Sequence, residues 1–263
     1  MQSIAPPSIF GTTKISVLII TFNEARNIGR CLDSVQDIAD EVVVVDAFST
    51  DETVSICRAK GARCIQHAFD GHIEQKNYAL TRAQYDFVLS LDADEALDDT
   101  LRRAILAVKH SPHPAAAYTM NRLTNYCGQW IRHSGWYPDR KLRLFDRRLG
   151  RWGGQNPHDR VEMDAEAGSK HLPGDIHHYS YYTVDEHWQR AARYATIAAQ
   201  AMHKKGKRAT MLHLWINPVF KFFRNYFLKA GFLDGRAGWT ICRISAVETL
   251  WKYQQLRDIR LQT

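Results

Sequence analysis

The sequence predicts an α/β fold in which a mixed, mainly parallel sheet is flanked by helices, followed by a helical C-terminal extension. In the first hundred residues, apolar runs rich in β-branched residues alternate with amphipathic stretches, and the connections are short. Such alternation favours right-handed crossovers and a parallel sheet. From Val184 onward helical patterns dominate, including an alanine-rich stretch. A chain of 263 residues is long enough for one α/β domain and an appendage.

The first predicted strand is Ile15–Thr21, a nearly continuous apolar run that is typical of a strand covered on both faces. A helix should follow it, because Ile28, Leu32 and Val35 are spaced to form one apolar stripe. Asn23 is the expected N-cap of this helix.

The same order of strand and helix then repeats. Glu41–Asp46 is a second buried strand, and the capping-box pattern at 49–52 should begin the next helix. Arg63–His67 is a weaker third strand, a helix is expected over about 73–83, and Phe87–Leu91 is a further apolar strand.

The pattern becomes less regular after Leu97. We expect a helix to about Lys109, strands at Tyr118–Tyr126 and Lys141–Phe145, and a loop over Arg151–Pro157, which contains two glycines and a proline. The predicted domains are an N-terminal extension (1–13), an α/β domain (14–183) and a helical, basic and aromatic region (184–263).

Charge and cysteine content limit the classes of protein. The net charge of +7 is confined to the C-terminal part, since residues from His203 onward contain 12 Lys/Arg and 3 Asp/Glu. Five scattered cysteines without a C-x-x-C pair favour a reducing cytoplasm over a disulfide framework. No secretory signal and no apolar run of membrane-spanning length is visible, so we expect a soluble or peripheral protein.

Carboxylates follow two of the predicted strands. Asp46 ends one strand, and Asp92 and Asp94 follow another in an Asp-x-Asp pattern. Ligands of open parallel sheets bind at the carboxyl ends of strands. Two carboxylates so close together favour a divalent cation such as Mg²⁺, shared with a diphosphate. The alternative is an acidic turn that caps the next helix.

The turn after the first strand is Thr21-Phe22-Asn23-Glu24. Neither a G-x-G-x-x-G fingerprint nor a P-loop is present, which argues against a dehydrogenase and an NTPase. A nucleotidyltransferase would need a glycine-rich, basic loop at this position, and the turn is not one.

Several segments together carry a family resemblance. In chain order they are ISVLIITFNEARNIGRCLDSV, EVVVVDAFSTDETVSI, GHIEQKNYAL and VLSLDADE, and the chain thereby resembles the inverting family-2 glycosyltransferases. The later segments WYPDRKLRLFDR, NPHDRVEM and KAGFLDGRAG are similar to the lipopolysaccharide-core β-1,4-glucosyltransferase family. The resemblance implies a GT-A fold with a Rossmann-like nucleotide half, a UDP-sugar donor and a divalent metal ion (Mg²⁺ or Mn²⁺).

The resemblance also implies roles for individual residues. Asp46 would contact the uridine, Asp92 would face the donor ribose and sugar, and Asp94 would coordinate the metal. The other residues expected beside the nucleotide are Thr21, Asn23, Glu24, Gln75, Lys76 and Asn77.

Inverting transfer needs a carboxylate that deprotonates the acceptor hydroxyl. Many members of the family place it in a Glu-Asp pair, which this chain lacks. The similar lipopolysaccharide-core family has a His-Glu-like dipeptide in a comparable loop, and His158-Asp159 occupies that position here. The resemblance therefore makes Asp159 the predicted base, with His158 nearby. The alternative is that Asp159 pairs with Arg160 and has no catalytic role. In that case Glu162 or Glu95 would be the base.

Further polar residues are candidates for donor and metal contacts. One or more of Arg140, Lys141 and Arg143 could clamp the diphosphate, since arginine suits bidentate phosphate contact. We select Arg143, because its neighbours Leu142 and Leu144 would point to the opposite face. A solvated basic edge is the alternative. His178, which with His177 follows another expected loop, could complete the metal shell, and a structural histidine is the competing interpretation.

The segment from Trp215 to Phe232 is crowded with aromatic residues and interrupted by three cations. It is suited to the interface of an anionic membrane, and the alternative is a helix packed on the catalytic domain. Nucleic-acid binding would leave the acidic motifs unused, so we expect no nucleic-acid partner.

The sequence thus predicts transfer of a hexose, glucose by resemblance, to a lipopolysaccharide inner-core or other lipid-linked saccharide acceptor, at the cytoplasmic face of the inner membrane. The alternatives are a non-enzymatic sugar-nucleotide-binding membrane partner and a glycosyltransferase that acts on a different cell-surface glycan.

Overall fold

The structure is a computed structural model that describes residues 12–155 and 158–261, with the backbone alone at His158, Arg260 and Leu261. The chain forms two compact units. The first contains the chain up to Arg122 and Arg140–His178, and the second contains Leu123–Asp139 and the chain from Tyr179 onward. The C-terminal unit thus includes segment 123–139 and residues 179–183 in addition to the predicted helical region, and the predicted domain bounds stay a prediction.

The secondary structure alternates strand and helix at first and is helical at the end. The strands are β1 Ile15–Thr21, β2 Glu41–Asp46, β3 Arg63–Gln66, β4 Phe87–Asp92, β5 Glu95–Leu97, β6 Ala117–Tyr126, β7 Gln129–Ile131, β8 Asp139–Asp146, β9 Gly150–Gln155, β10 His158–Met163 and β11 Ser169–Tyr181. The helices are α1 Ile28–Asp33, α2 Thr53–Ala59, α3 His72–Arg82, α4 Asp99–Lys109, α5 Val184–Lys204, α6 Met211–Phe223 and α7 Gly235–Leu261. A π-helical turn (Arg224–Leu228) and a 3₁₀ turn (Gly231–Asp234) connect α6 to α7.

The main sheet has the strand order β3-β2-β1-β4-β8-β6-β11-β5, and β7 pairs with the end of β6. Its first four strands are parallel, whereas β8 is antiparallel to β4 and β5 is antiparallel to β11. A separate hairpin is formed by β9 and β10. The predicted fold class, a mixed and mainly parallel sheet with flanking helices and a helical C-terminal extension, is confirmed.

The core of the first unit lies on both faces of the parallel strands. Val17 and Ile19 belong to one buried cluster, and Leu18, which lies between them in β1, belongs to the other. Successive side chains of a strand point to opposite faces, so a continuous apolar run is required to cover both. Burial of each such side chain contributes about 1.5–3 kcal/mol.

Both predicted helix starts are wrong. The helix α1 begins at Ile28, and its N-cap Asn27 makes no capping hydrogen bond but donates from its side chain to Glu24 at 2.7 Å. Asn23 lies outside the helix with a φ of 53°, and its side chain accepts a hydrogen bond from the Thr50 backbone amide at 2.8 Å. The helix α2 begins at Thr53, after the proposed box. The polar residues of these two neighbouring turns form hydrogen bonds with each other instead of capping the helices. A local capping pattern cannot predict such contacts between turns.

Two segments expected as loops are strands. The stretch over Arg151–Pro157 is β9 as far as Gln155, and Asn156 and Pro157 lie outside the described residues. The loop expected before His177 and His178 is also part of a strand, because β11 begins at Ser169 and includes both histidines. The glycines at 153 and 154 weaken the strand pattern, and the β10 partner that stabilises this strand is a tertiary feature.

The second unit is mainly helical. The helix α5 begins at a capping box, in which Thr183 accepts from the Glu186 amide at 3.2 Å and Glu186 accepts from the Thr183 amide at 3.3 Å. It packs along α7, as does α6. A small core contains Tyr126, Ile131 and Ile241.

Asp234, in the KAGFLDGRAG segment, has a structural role within the second unit. Its buried carboxylate accepts hydrogen bonds from the amides of Arg132 at 3.2 Å and His133 at 3.0 Å, and from the Ser134 hydroxyl at 3.3 Å. The segment therefore anchors the turn at 132–134.

Candidate active site

Three polar residues end neighbouring strands of the first unit. Thr21 of β1 is in register with Asp46 of β2, and Ile20 of β1 is in register with Asp92 of β4. The carboxyl ends of these parallel strands lie at one edge of the sheet, where a ligand is expected. Thr21 Oγ1 is buried and makes no hydrogen bond to the described residues. The sequence-predicted grouping of Asp46 and Asp92 is therefore present.

The turns after β1 and β2 are held together by side chains. The Ser49 hydroxyl donates to Asp46 at 2.5 Å and accepts from the Asn23 amide at 2.8 Å. The Glu24 amide donates to Thr53 Oγ1 at 2.8 Å. These bonds fix the Thr21-Phe22-Asn23-Glu24 turn next to Asp46.

Asp92 lies between two cations. Lys76 Nζ is 2.9 Å from one of its carboxylate oxygens, and Arg143 Nη2 is 3.0 Å from the other. Burial raises the pKa of Asp92, but Lys76 and Arg143 outweigh it and hold the pKa well below its usual range. Asp92 is therefore a fixed negative charge at neutral pH.

Arg143 is buried beneath this site. Its Nη2 also lies 2.8 Å from Glu95, a fully buried carboxylate that Arg122 approaches at 3.3 Å. Burial lowers the pKa of Arg143, but Glu95 and Asp92 raise it well above its usual value. Nε and Nη1 of Arg143 are buried and have no hydrogen-bond partner among the described residues. The partners found for Arg143 are carboxylates, so its role as a diphosphate clamp stays a prediction.

Lys76 joins Asp92 to the predicted base. Its Nζ is 2.7 Å from Asp159 Oδ2, and its side chain is 3% exposed. The Trp152 ring lies against both cations, with its centroid 4.3 Å from Lys76 Nζ and 5.4 Å from Arg143 Cζ. The geometry is that of a cation–π contact, which strengthens when water is excluded. The observed partners of Lys76 are thus two carboxylates and an indole ring.

The two amides beside Lys76 have partners within the protein. Asn77 donates to the Trp152 carbonyl at 2.9 Å and accepts from the Trp152 amide at 3.0 Å. Gln75 is buried and bonds to the ring and the carbonyl of His67. Both amides hold α3 against its neighbours, and their contact with a nucleotide stays a prediction.

Asp94 and His178 lie together. His178 Nε2 is 3.2 Å from Asp94 Oδ2, because β11 pairs with β5 so that His178 is opposite Glu95. Burial raises the pKa of Asp94, but His178 outweighs it and the pKa is lowered. Within residues 12–155 and 158–261, no cluster of three or more His, Cys, Asp or Glu side chains is placed to hold a metal ion. A carboxylate and an imidazole fit part of a divalent shell, which diphosphate oxygens would have to complete.

The residues named as alternatives for the base have contacts of their own. Arg160, the alternative partner of Asp159, pairs with Glu162 at 3.0 Å on the exposed surface of the hairpin. Glu95, a substitute base, is fully buried among arginines. The side chain of His158 lies outside the described residues.

Two residues of the site were missed from the sequence. The sequence predicts a loop at Trp152. The signal that points to its role is a single tryptophan in an otherwise glycine-rich, polar segment, which indicates a side chain that packs against other residues. Arg122 lies in a strand and has no local signal, since its partner Glu95 is far away along the chain.

Known proteins resemble this chain. Residues 16–165 match the family Glycosyl transferase family 2. An uncharacterized glycosyltransferase of Rickettsia prowazekii is 30% identical over 259 residues, which is 95% of this chain and 89% of that protein. The lipopolysaccharide core biosynthesis glycosyltransferase LpsC of Rhizobium meliloti is 26% identical over 89% of this chain and 88% of its own.

A solved structure shares the fold. The mannosyltransferase PcManGT from Pyrobaculum calidifontis, in complex with GDP-Man and Mn²⁺, superposes with a TM-score of 0.52 and 19% identity over 95% of this chain and 89% of that one. The fold is thus of the GT-A type. On the match to more than half of its length and the similarity to its relatives, the chain belongs to glycosyl transferase family 2.

Proposed function

We propose that this glycosyltransferase uses a UDP-sugar and a divalent metal ion to transfer a hexose, with inversion, to a lipopolysaccharide inner-core or other lipid-linked saccharide. The observation that carries the proposal is the Asp94–His178 pair next to Asp92 at the end of β4. The similarity to LpsC supports the acceptor class, and glucose as the hexose rests on the resemblance of the later sequence segments.

Asp94 and His178 would hold the metal ion. When bound, the ion supplies positive charge that stabilises the leaving nucleoside diphosphate more in the transition state than in the ground state. The lowered pKa of Asp94 keeps its carboxylate charged for this role. The Mn²⁺ in the complex of the structurally similar mannosyltransferase supports a divalent ion here.

The donor would lie over the ends of β1, β2 and β4. Asp46 and the turn containing Thr21, Asn23 and Glu24 would face the nucleoside, and Asp92 would face the ribose and sugar. The hydrogen bonds that tie Asn23 to Ser49 and Ser49 to Asp46 give this surface a fixed shape before the donor binds. Such preorganisation lowers the entropic cost of binding.

Asp159 would act as the base that takes the proton of the acceptor hydroxyl. Lys76 holds it close to Asp92, on whose other side Arg143 lies. Arg143 would then act on the donor by orienting Asp92. A base must be held within hydrogen-bond reach of the attacking hydroxyl, and the Lys76 contact supplies such a restraint.

The acceptor class implies a place of action. A lipid-linked saccharide is presented at a membrane surface, so the enzyme would act as a peripheral protein on the cytoplasmic face of the inner membrane. Within the described residues, none of the helices combines the length and the hydrophobicity needed to cross a bilayer.

The test is calorimetric titration of UDP-glucose, UDP-galactose and UDP, each with and without Mn²⁺. We expect metal-dependent binding by the wild type, and binding at least about tenfold weaker by Asp94→Asn. The control is Asp33→Asn, which removes an exposed carboxylate of the same unit and should leave binding unchanged. Absence of binding to any uridine nucleotide by folded protein would overturn the proposal. Binding without transfer to any lipid-linked acceptor would favour a sugar-nucleotide-binding membrane partner instead.

A further inference from the structure

One face of α6 is apolar and uncovered. Met211, Leu212, Trp215, Ile216, Val219 and Phe220 are exposed, and they recur at the spacing of a single helical face. We call these six residues the apolar stripe. Trp215 is 71% exposed and Val219 is 69% exposed, and the exposed apolar surface continues along the chain at Phe223, Phe227, Leu228, Phe232, Leu233 and Trp239. An uncovered face of this size marks an interaction surface.

The opposite face of α6 is already occupied. Leu214, on that side, is buried, and α6 packs along α7. Met211, at one edge of the stripe, accepts a hydrogen bond from Arg257 of α7 at 3.0 Å, whereas the rest of the stripe lies on the side of the helix opposite Leu214. The helix has 13 residues and is about 20 Å long, so the stripe can lie along a surface but cannot cross a bilayer.

Exposed cations lie next to the stripe in the chain. Lys204, Lys205, Lys207 and Arg208 directly precede α6 and are all exposed. Between residues 203 and 247 Asp234 is the single acidic residue of the sequence, and its carboxylate is buried against the turn at 132–134. The segment that contains the stripe thus combines an apolar face with a net positive charge.

We propose that the apolar stripe lies in the interface of an anionic lipid bilayer, parallel to its plane, with the preceding cations on the headgroups. Trp215 suits this position, since an indole combines an apolar ring with a polar N–H. Each cation near an anionic surface adds to the attraction. A second copy of the chain is the less favourable occupant, because pairing two stripes would bring two sets of cations together. This inference rests on the proposed function and adds to it the surface through which the protein would contact the membrane.

The experiment is cosedimentation of the full chain with vesicles of phosphatidylcholine alone and of phosphatidylcholine mixed with phosphatidylglycerol. We expect the wild type to bind the anionic vesicles at least about tenfold more tightly than the neutral ones. The double variant Trp215→Glu/Ile216→Glu should lose at least about tenfold of this binding. The matched control is Ile197→Glu, the same change at an exposed isoleucine of α5, which should bind as the wild type does.

Two further measurements separate the possible outcomes. Titration of UDP-glucose into the double variant should give wild-type affinity, so a vesicle-binding failure is distinct from a failure of the proposed function. Light scattering should give a monomer for both proteins. Wild-type vesicle binding by the folded double variant, or a wild-type dimer that the double variant dissociates, would overturn the inference.

Discussion

The buried ammonium of Lys76 lies 2.7 Å from the carboxylate of Asp159, 83 residues further along the chain. The same ammonium lies 2.9 Å from Asp92, so one cation serves two carboxylates. Two carboxylates near each other disfavour ionisation unless a positive charge offsets their repulsion. Lys76 thereby offsets the repulsion between them and fixes the β9–β10 hairpin relative to the end of β4.

Replacing Lys76 with Met should impair both stability and transfer. The change leaves two partly buried carboxylates without their shared cation, and breaking a buried pair costs about 3–5 kcal/mol of unfolding free energy. We expect the transfer rate to fall at least about 100-fold, because Asp159 is no longer held in place. Urea unfolding and a transfer assay measure the two effects. Lys60→Met, which breaks an exposed pair with Asp33, should cost less than about 1 kcal/mol and leave the rate unchanged.

Asp159→Asn tests the base directly. The amide keeps the shape of the side chain and can still accept from Lys76, but it cannot take a proton. Turnover should therefore fall about 10²–10⁴-fold, whereas titration should give unchanged donor affinity. Glu162→Gln, on the same strand, is the control and should remain active. The reverse result, an active Asp159→Asn and an inactive Glu162→Gln, would make Glu162 the base.

His187 should make the second unit sensitive to acid. Burial among Tyr126, Trp136 and Tyr181 lowers its pKa to about 4, and nearby Arg190 adds to this effect. Since the unfolded chain has a His pKa of about 6.5, unfolded protein binds a proton that folded protein does not between these values. Stability is therefore full above pH 6.5 and falls by about 3 kcal/mol as the pH decreases to 4.

The measurement is the unfolding free energy of the wild type and His187→Gln at several pH values from 4 to 7. The variant should lose most of this pH dependence, because glutamine does not titrate but can bond to the Tyr126 hydroxyl. His110→Gln, at an exposed histidine after α4, should keep the wild-type profile. An unchanged profile in His187→Gln would contradict the assignment.

Gly238→Ala should destabilise the second unit. Alanine in place of glycine inside a helix normally stabilises it by about 1 kcal/mol. At Gly238, however, an added Cβ would collide with the backbone carbonyl of Gly231, so we expect a net loss of at least about 2 kcal/mol. Thermal unfolding should show a lower Tm. Gly168→Ala is the control, because a Cβ there meets nothing within 4 Å and its stability should change little.

Local pattern determined the alternation of strands and helices. The apolar runs at Ile15–Thr21 and Glu41–Asp46 predicted β1 and β2 with their bounds, since a strand buried on both faces must be apolar throughout. Carboxylates that follow such runs must meet at one edge of a parallel sheet. For this reason the grouping of Asp46 with Asp92 was predictable before any contact was known.

Tertiary structure decided what these carboxylates contact. The pairing of Lys76 with Asp159, of Arg143 with Glu95 and of Asp94 with His178 each joins residues that are far apart in the chain. It also decided that Asn23 binds the neighbouring turn instead of capping a helix, and that Trp152 lies in a strand. Propensity and periodicity act over a few residues, whereas these contacts depend on sheet register and on burial, which are properties of the whole fold.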